Sequence, residues 1–303
     1  MRIASIDAGS NTILLLIADY DVSSHRIEII EEKHTYPRLG DGLVFGGKIK
    51  EEKAELALNI FRGYKEIILQ THAEHVVAVG TNALRIASNA QEIIGKISRE
   101  TGITIEVITG EQEAALAYLS ATRGYYTGHS KGVIDIGGGS TEIVFGDDSG
   151  IQFRRSFQLG VVSMIHKYGI SNLLNKKEEI ISDVSLTLSG TSFPVPEGVR
   201  MFGVAGTPVT YFILCYLDGY DREKIEGGKL FYHDLKRMTE TLGGMNPEDI
   251  ERKFPATKGR SDLMFFGGII LSETMQMLGC DSITVSTRGI RYGALINYAE
   301  KLL

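Results

Sequence analysis

The sequence is poor in the features that mark several large protein classes. No apolar run approaches the roughly 20 residues that a membrane-spanning helix needs. The opening, MRIASIDAGSN, lacks signal-peptide architecture. A soluble, cytoplasmic protein is therefore expected, with no membrane partner. Only two cysteines occur, Cys215 and Cys280, in apolar surroundings and without a CxxC or Cys/His spacing. They are expected to be reduced, buried and structural. The seven histidines are scattered, and His72 and His75 have no third ligand nearby, so zinc is not expected. No GxSxG nucleophile motif appears. Long basic runs are missing too, and the formal charge is -6, which argues against nucleic acid as a partner, since such binding neutralises many phosphates at once. A polyanionic ligand would have to be gripped locally by arginines, backbone amides or a divalent cation.

What the chain has in excess is glycine, 35 of 303 residues against a usual share of about 7%. The glycines cluster at turns. Strands are predicted near residues 2–7, over TILLLIAD and near residues 26–35, followed by a helix from Lys50 to Gln70 with Leu56, Ile60, Phe61, Tyr64, Ile67 and Ile68 on one face. HVVAVGT and ITIEVIT then alternate with helices, the first running from Ala83 to about Glu100 and the second from Glu111 to Arg123, which implies parallel pairing. From Lys131 the pattern begins again with GVIDIGGGS, TEIVFGD, IQFRRSFQL and, later, VRMFGVAG. Asp7-Ala8-Gly9-Ser10-Asn11 and Asp135-Ile136-Gly137-Gly138-Gly139-Ser140 occupy the same first-hairpin position, evidence of an internal repeat. Two α/β domains are expected, 1–125 and 126–303, with the last helix able to pack back on the first, a boundary within RGYYTGHSKG and a cleft facing it. Phe265, Phe266, Met275 and Met277 read as core of an all-round apolar helix.

Glycine lets a turn point its amides outward with no Cβ in the way, which makes an anion nest. Gly9, Ser10, Asn11 and Thr12 in one turn, and Gly137, Gly138, Gly139 and Ser140 in the other, are candidate phosphate contacts, with the Thr141 hydroxyl as a further donor. Carboxylates beside a polyanion need a cation between them, so Asp7, Asp135 and Glu142 are candidate Mg²⁺ ligands. Plain hairpins with Asp turn chemistry are the alternative for any single such turn. Glu111 and Glu113 open a helix straight after a strand; one could orient a water, or both could compensate the helix charge. Arg85 follows a strand's carboxyl end, where α/β ligands bind, although a surface role is also open. Gly206 and Thr207 in GVAGT form a third glycine turn. Lys258, Arg260, Arg288 and Arg291 could grip a phosphate chain or lie solvated on the surface.

DAGSNT, GTNALRIASN, VITGEQEA, VIDIGGGSTE, FQLGVVSM, GVAGT, GRSD and VSTRGIRYG stand in the order and spacing of the exopolyphosphatase/guanosine pentaphosphate phosphohydrolase (Ppx/GppA) family, which the whole chain resembles. The resemblance implies the actin-like, ribonuclease H-like fold of sugar kinases and Hsp70: two similar α/β domains around a cleft. It implies that Glu113 activates water, that Asp135 and Glu142 attend Mg²⁺, that the two glycine turns cradle the terminal phosphate and that Arg85 is an active-site arginine. It implies a homodimer, and a short form without the C-terminal HD-type domain of longer members. The expected reaction is release of orthophosphate from polyphosphate, or from the guanosine pentaphosphate of the stringent response to give the tetraphosphate. The rivals are an actin-fold phosphotransferase and a non-catalytic polyphosphate or guanosine tetraphosphate sensor. Two departures stand out: Ile13, Leu14 and Leu15 occupy a strand where many members carry Arg or His, and Tyr292 follows Arg291 where many carry an acid.

Overall fold

The computed structural model describes residues 1–125 and 128–302, so that Tyr126 and Thr127 of the expected boundary segment lie outside the described residues. The chain divides by contact into two units, Met1–Gly124 together with the segment from Gly289 onward, and Tyr125–Arg288.

In the first unit β1 (Arg2–Ala8), β2 (Ile13–Asp21) and β3 (Arg26–Thr35) form an antiparallel ribbon, while β4 (His75–Gly80) and β5 (Ile105–Val107) run parallel to β1. The sheet order is β3-β2-β1-β4-β5. Alternation sorts the central strands by face. Ala4, Ile6, Ala8, Ile13, Leu15 and Ile17 share a core with Phe61 of α1 (Glu51–Gln70) and Ile93 and Ile97 of α3 (Ala90–Thr101). Ile3, Leu16, Ala18 and Tyr20 pack on the other face. Leu56, expected on the buried stripe of α1, is exposed; Ala57 and Leu58 are buried instead. The single helix expected after β4 is two, α2 (Asn82–Ile86) and α3. Asn89 explains the break: its side-chain amide exchanges two hydrogen bonds of 2.9 Å with the backbone of Ile49, a pairing that a continuous helix would not allow. α4 (Gly110–Thr122) completes this stretch.

The second unit repeats the plan. β6 (Lys131–Ile136), β7 (Thr141–Asp147) and β8 (Gly150–Phe157) are antiparallel, β9 (Arg200–Val204) lies parallel to β6, β10 (Lys229–Phe231) is an added antiparallel edge, and β11 (Ser282–Val285) runs parallel to β9. The order β8-β7-β6-β9-β11-β10 reproduces that of the first unit and adds one strand. The duplicated hairpins match at the atomic level: Gly9 N donates to Thr12 O at 2.8 Å, and Gly137 N to Ser140 O at 2.9 Å. This is the α/β, actin-like plan expected from the sequence.

The helices of this unit are α5 (Val161–Tyr168), α6 (Lys177–Ser189), α7 (Gly206–Tyr216), the short α8 (Arg222–Ile225), α9 (Tyr232–Gly243), α10 (Pro247–Lys253) and α11 (Met264–Met277). Phe265, Phe266 and Met275 are core, as expected, but Met277 in the last turn of α11 is exposed. Cys215 and Cys280 are free and half-buried, not fully buried; burial still pushes their thiols up to about 12 and about 11. Glu226 joins the two ends of the unit. It accepts hydrogen bonds from Tyr125 Oη at 2.9 Å, Ser286 Oγ at 3.0 Å and Thr287 N at 2.7 Å.

The chain then returns to the first unit as α12 (Ile290–Lys301), which packs on α4 and β1. Tyr292, Leu295 and Ile296 complete the core against Ile3 and Leu16, so α12 covers the sheet face from which Asp7 also projects. Among the described residues no helix is long and apolar enough to cross a membrane.

Candidate active site

In the first unit the candidate residues collect at the carboxyl ends of three parallel strands, where ligands of open α/β sheets bind. Asp7 sits near the end of β1, opposite Val79 of β4. Thr81 N donates to Ala8 O at 3.1 Å, so the residues leaving β4 stay beside the glycine turn. That places Asn82 at the start of α2 and Arg85 one turn on. β5 leads into α4, whose start is closed by a capping box between Thr109 and Gln112. Glu113 is thus not needed as a cap. Glu111 is exposed, whereas Glu113 is buried and receives Arg85 Nη1 at 3.1 Å; the same nitrogen donates to Ile108 O at 2.9 Å. The two acids are two residues apart, about 200° of rotation around the helix, which turns one outward and the other inward.

Burial pushes the Glu113 carboxyl up, and the Arg85 guanidinium partly opposes this. Asp7 is pushed up to about 7, first by burial and then by the charge of Glu113, with Arg291 acting in the opposite direction. Asp7 Oδ1, Asn11 Oδ1, Asn82 Oδ1 and Arg85 Nη2 are buried without a hydrogen-bond partner among the described residues. Native interiors seldom leave such atoms unsatisfied, so four in one region point to a polar ligand.

In the second unit Asp135 and Glu142 are register partners of β6 and β7, so their side chains stand side by side on one face. Both are buried, and Ser156 Oγ donates to Glu142 Oε1 at 2.7 Å. The triple-glycine turn leans on Gly160, where any Cβ would collide with the Gly138 carbonyl and the Gly139 amide. Val161 N and Val162 N, at the start of α5, donate to the carbonyls of Gly137 and Gly138 at 3.2 and 2.7 Å. The turn's carbonyls are thereby held by α5. Thr141, counted from sequence as a donor to phosphate, is committed elsewhere: its hydroxyl donates to Leu159 O at 2.5 Å. At the third glycine turn Ala205 has φ +68°, strained for a residue with a Cβ, and the Arg260 guanidinium occupies the place where a Cβ of Gly206 would stand. Thr207 is buried against Gly267.

Residues 17–302 match the model of the Ppx/GppA phosphatase family. The chain belongs to this family. It is 28% identical to exopolyphosphatase 2 of Mycobacterium tuberculosis, with 98% of each chain covered. It is 32% identical to exopolyphosphatase 1 of Mycobacterium bovis, over 98% of this chain and 88% of that protein. It is also 29% identical to a bifunctional 3-dehydroquinate synthase/phosphatase of Fusobacterium nucleatum, of which it spans 46%. Among solved structures, the Ppx/GppA family member of Aquifex aeolicus superposes with a TM-score of 0.84 at 30% identity, covering 100% of this chain and 98% of that one. An exopolyphosphatase from Cytophaga hutchinsonii gives 0.90 at 25% identity, covering 99% and 98%.

For this Ppx/GppA member the fit to Mg²⁺ rests on the donor set of the second unit. Two buried, opposed carboxylates are the one or two acids that Mg²⁺ takes alongside waters and phosphate oxygens. Among the described residues no group of three or more His, Cys, Asp or Glu is assembled for a metal. Several residues of this site carry no strong sequence signal. Asn82 and Gly160 lie inside recognisable motifs but are ordinary residue types there. Arg291, open from sequence between surface and site, is buried and ion-paired to Glu32 at 2.9 Å. Arg288 approaches Glu226 at 3.8 Å, and Lys258 is exposed.

Proposed function

We propose that this Ppx/GppA member is a phosphoanhydride hydrolase that releases terminal orthophosphate from inorganic polyphosphate, with Glu113 as the general base. The observation that carries this reading is the Glu113–Arg85 pair: a buried carboxylate with a raised pKa, freed from capping and aimed by an arginine at the ligand end of the sheet. A raised pKa makes a carboxylate a stronger base for abstracting a proton.

Glu113 accepts the proton of the attacking water, and Arg85 fixes the orientation of its carboxylate. Within the first unit the amides of Ser10, Asn11 and Thr12 and the Ser10 hydroxyl offer donors to a phosphoryl group, the Gly9 amide being used inside the turn; within the second unit the amides of Gly138, Gly139 and Ser140, the Ser140 hydroxyl and the turn at Gly206 and Thr207 offer donors to phosphate oxygens. Asp135 and Glu142 would hold Mg²⁺, which supplies charge neutralisation at the phosphate oxygens. The exopolyphosphatase names of the mycobacterial relatives support polyphosphate as substrate.

The deciding experiment measures phosphate release from polyphosphates of several lengths, guanosine pentaphosphate and ATP side by side, with Mg²⁺, for the parent and Glu113→Gln. Release from polyphosphate that falls by a factor of about 10² to 10⁴ in Glu113→Gln is expected, the usual contribution of a general base. Near-parental turnover would remove Glu113 from this role. ADP formation that depends on an added acceptor would instead indicate a phosphotransferase, and tight binding without release would indicate a sensor.

A further inference from the structure

The first unit contains a buried arginine that the proposed chemistry leaves unused, in addition to the half-buried Arg85. Arg291 is 5% exposed and lies in the first turn of α12, over the sheet face that carries Asp7. Two register rows define that face: Asp7, Leu14 and His34 in one, Ser5, Leu16 and Glu32 in the other. The residue beside Asp7 on β2 is Leu14, so this strand provides no cation. The cation arrives from α12.

Its placement is specified by four groups. Ser5 Oγ donates to the Arg291 carbonyl at 2.7 Å, fixing the backbone. Arg291 Nη2 donates to Glu32 Oε1 at 2.9 Å and lies 3.4 Å from His34 Nε2. Tyr292 Oη donates to the same Glu32 oxygen at 2.8 Å, and the guanidinium carbon lies 5.2 Å from the centre of the Tyr292 ring. Arg291 Nε is buried with no hydrogen-bond partner among the described residues. A buried ion pair kept for stability alone is often replaceable by apolar residues at no cost. Here the pair shares its sheet face with Asp7, whose Oδ1 is also buried without a hydrogen-bond partner among the described residues.

We propose that Arg291 is the fixed cation of the first unit's phosphate site, and that Glu32 and Tyr292 are positioning residues that act through it. The inference rests on reading the Asp7 turn as a phosphate site. Tyr292, a departure from the family pattern, then has a role of its own, since it holds Glu32 and Glu32 holds Arg291.

The test is a double-mutant cycle on binding, using tripolyphosphate with Mg²⁺ and calorimetry of the full chain. The proteins are the parent, Tyr292→Phe, Arg291→Met and the double variant, each checked for folding by circular dichroism. Arg291→Met should weaken binding about tenfold, the scale of one charge-assisted interaction. Tyr292→Phe should weaken it about threefold alone and not at all once Arg291 is gone, because residues that act through a shared partner are not additive. Arg291→Lys, which keeps the charge but not the fork, should recover part of the loss. A folded Arg291→Met that binds like the parent overturns the proposal. So does a Tyr292→Phe effect of equal size in both backgrounds, or a parent that binds no tripolyphosphate. If Arg291→Met does not fold, the cycle is run on Arg291→Lys, where an undiminished Tyr292→Phe effect has the same force. A parent that binds as expected but releases no phosphate refutes the hydrolase reading and leaves this inference standing.

Discussion

Glu142 stands directly opposite Asp135 across the β6–β7 pair. The equivalent place in the first unit, opposite Asp7, is held by Leu14. The duplicated hairpins have therefore diverged in charge while keeping the same turn. Acids are doubled where a cation would be held, and a single acid remains where Glu113 and Arg85 lie within the same unit.

Like charges set directly opposite one another destabilise a sheet by a few tenths to about 1 kcal/mol. Glu142→Gln should accordingly raise the melting temperature slightly in EDTA while lowering phosphate release at limiting Mg²⁺. A Mg²⁺ titration of activity checks the second half, with the half-activating concentration expected to rise about tenfold on losing one charged ligand.

Arg85→Met removes the charge that holds the Glu113 pKa down against burial. Glu113 works as a base only when ionised, so the acidic limb of kcat/KM against pH should move to higher pH. Turnover at neutral pH should fall by about 10² through lost orientation and ionisation. A pH-rate profile measured from pH 5 to 10 reads both effects.

Asp7 binds its proton more tightly in the folded protein, with a pKa near 7, than in the unfolded chain, where the ordinary aspartate value of 3.8 applies. Between those values the native state holds more protons than the unfolded state, so stability falls as pH rises from about 4 to 7. Asp7→Asn should remove this slope in metal-free protein and stabilise it at pH 8 by up to about 4 kcal/mol, the value of three pKa units. Urea denaturation at pH 5 and pH 8 provides the comparison.

Gly160 has no room for a side chain against the triple-glycine turn. Gly160→Ala should cost about 1–3 kcal/mol, the usual range for overpacking. It should also depress activity more than its loss of stability explains, because the displaced backbone is the turn itself. Thermal melts and phosphate release on the same preparation separate the two.

Much of this was legible in the sequence wherever the cause is local. Glycine turns, strand alternation and the repeated hairpin need only neighbouring residues, so the strands of the two sheets and the placing of Asp135 and Glu142 on either side of one turn could be read directly, while their register as direct partners came from the structure. Asn89 breaks a helix because of Ile49, forty residues away, and no local pattern records that. Glu32 lies in an edge strand whose side chains look solvated, and its partners Arg291 and Tyr292 sit near the far end of the chain. β10, with three residues, is too short to show a period. Leu56 satisfies helical spacing but falls on the margin of its apolar stripe, and Met277 lies in the last turn of an all-round apolar helix; spacing reveals neither how wide nor how long a helix's cover is.

The clamp made by Glu226 has a consequence for how the chain comes to be folded. The first unit is interrupted: α12 is made only after the whole second unit has been synthesised. An unfolded insertion of that length would oppose closure entropically, since the cost grows with the logarithm of the loop. With Tyr125, Ser286 and Thr287 gathered on one carboxylate, the folded second unit presents its entry and exit together. It behaves as a short staple in place of a long tether, and delivers α12, with Arg291 on it, to a sheet synthesised first and finished last.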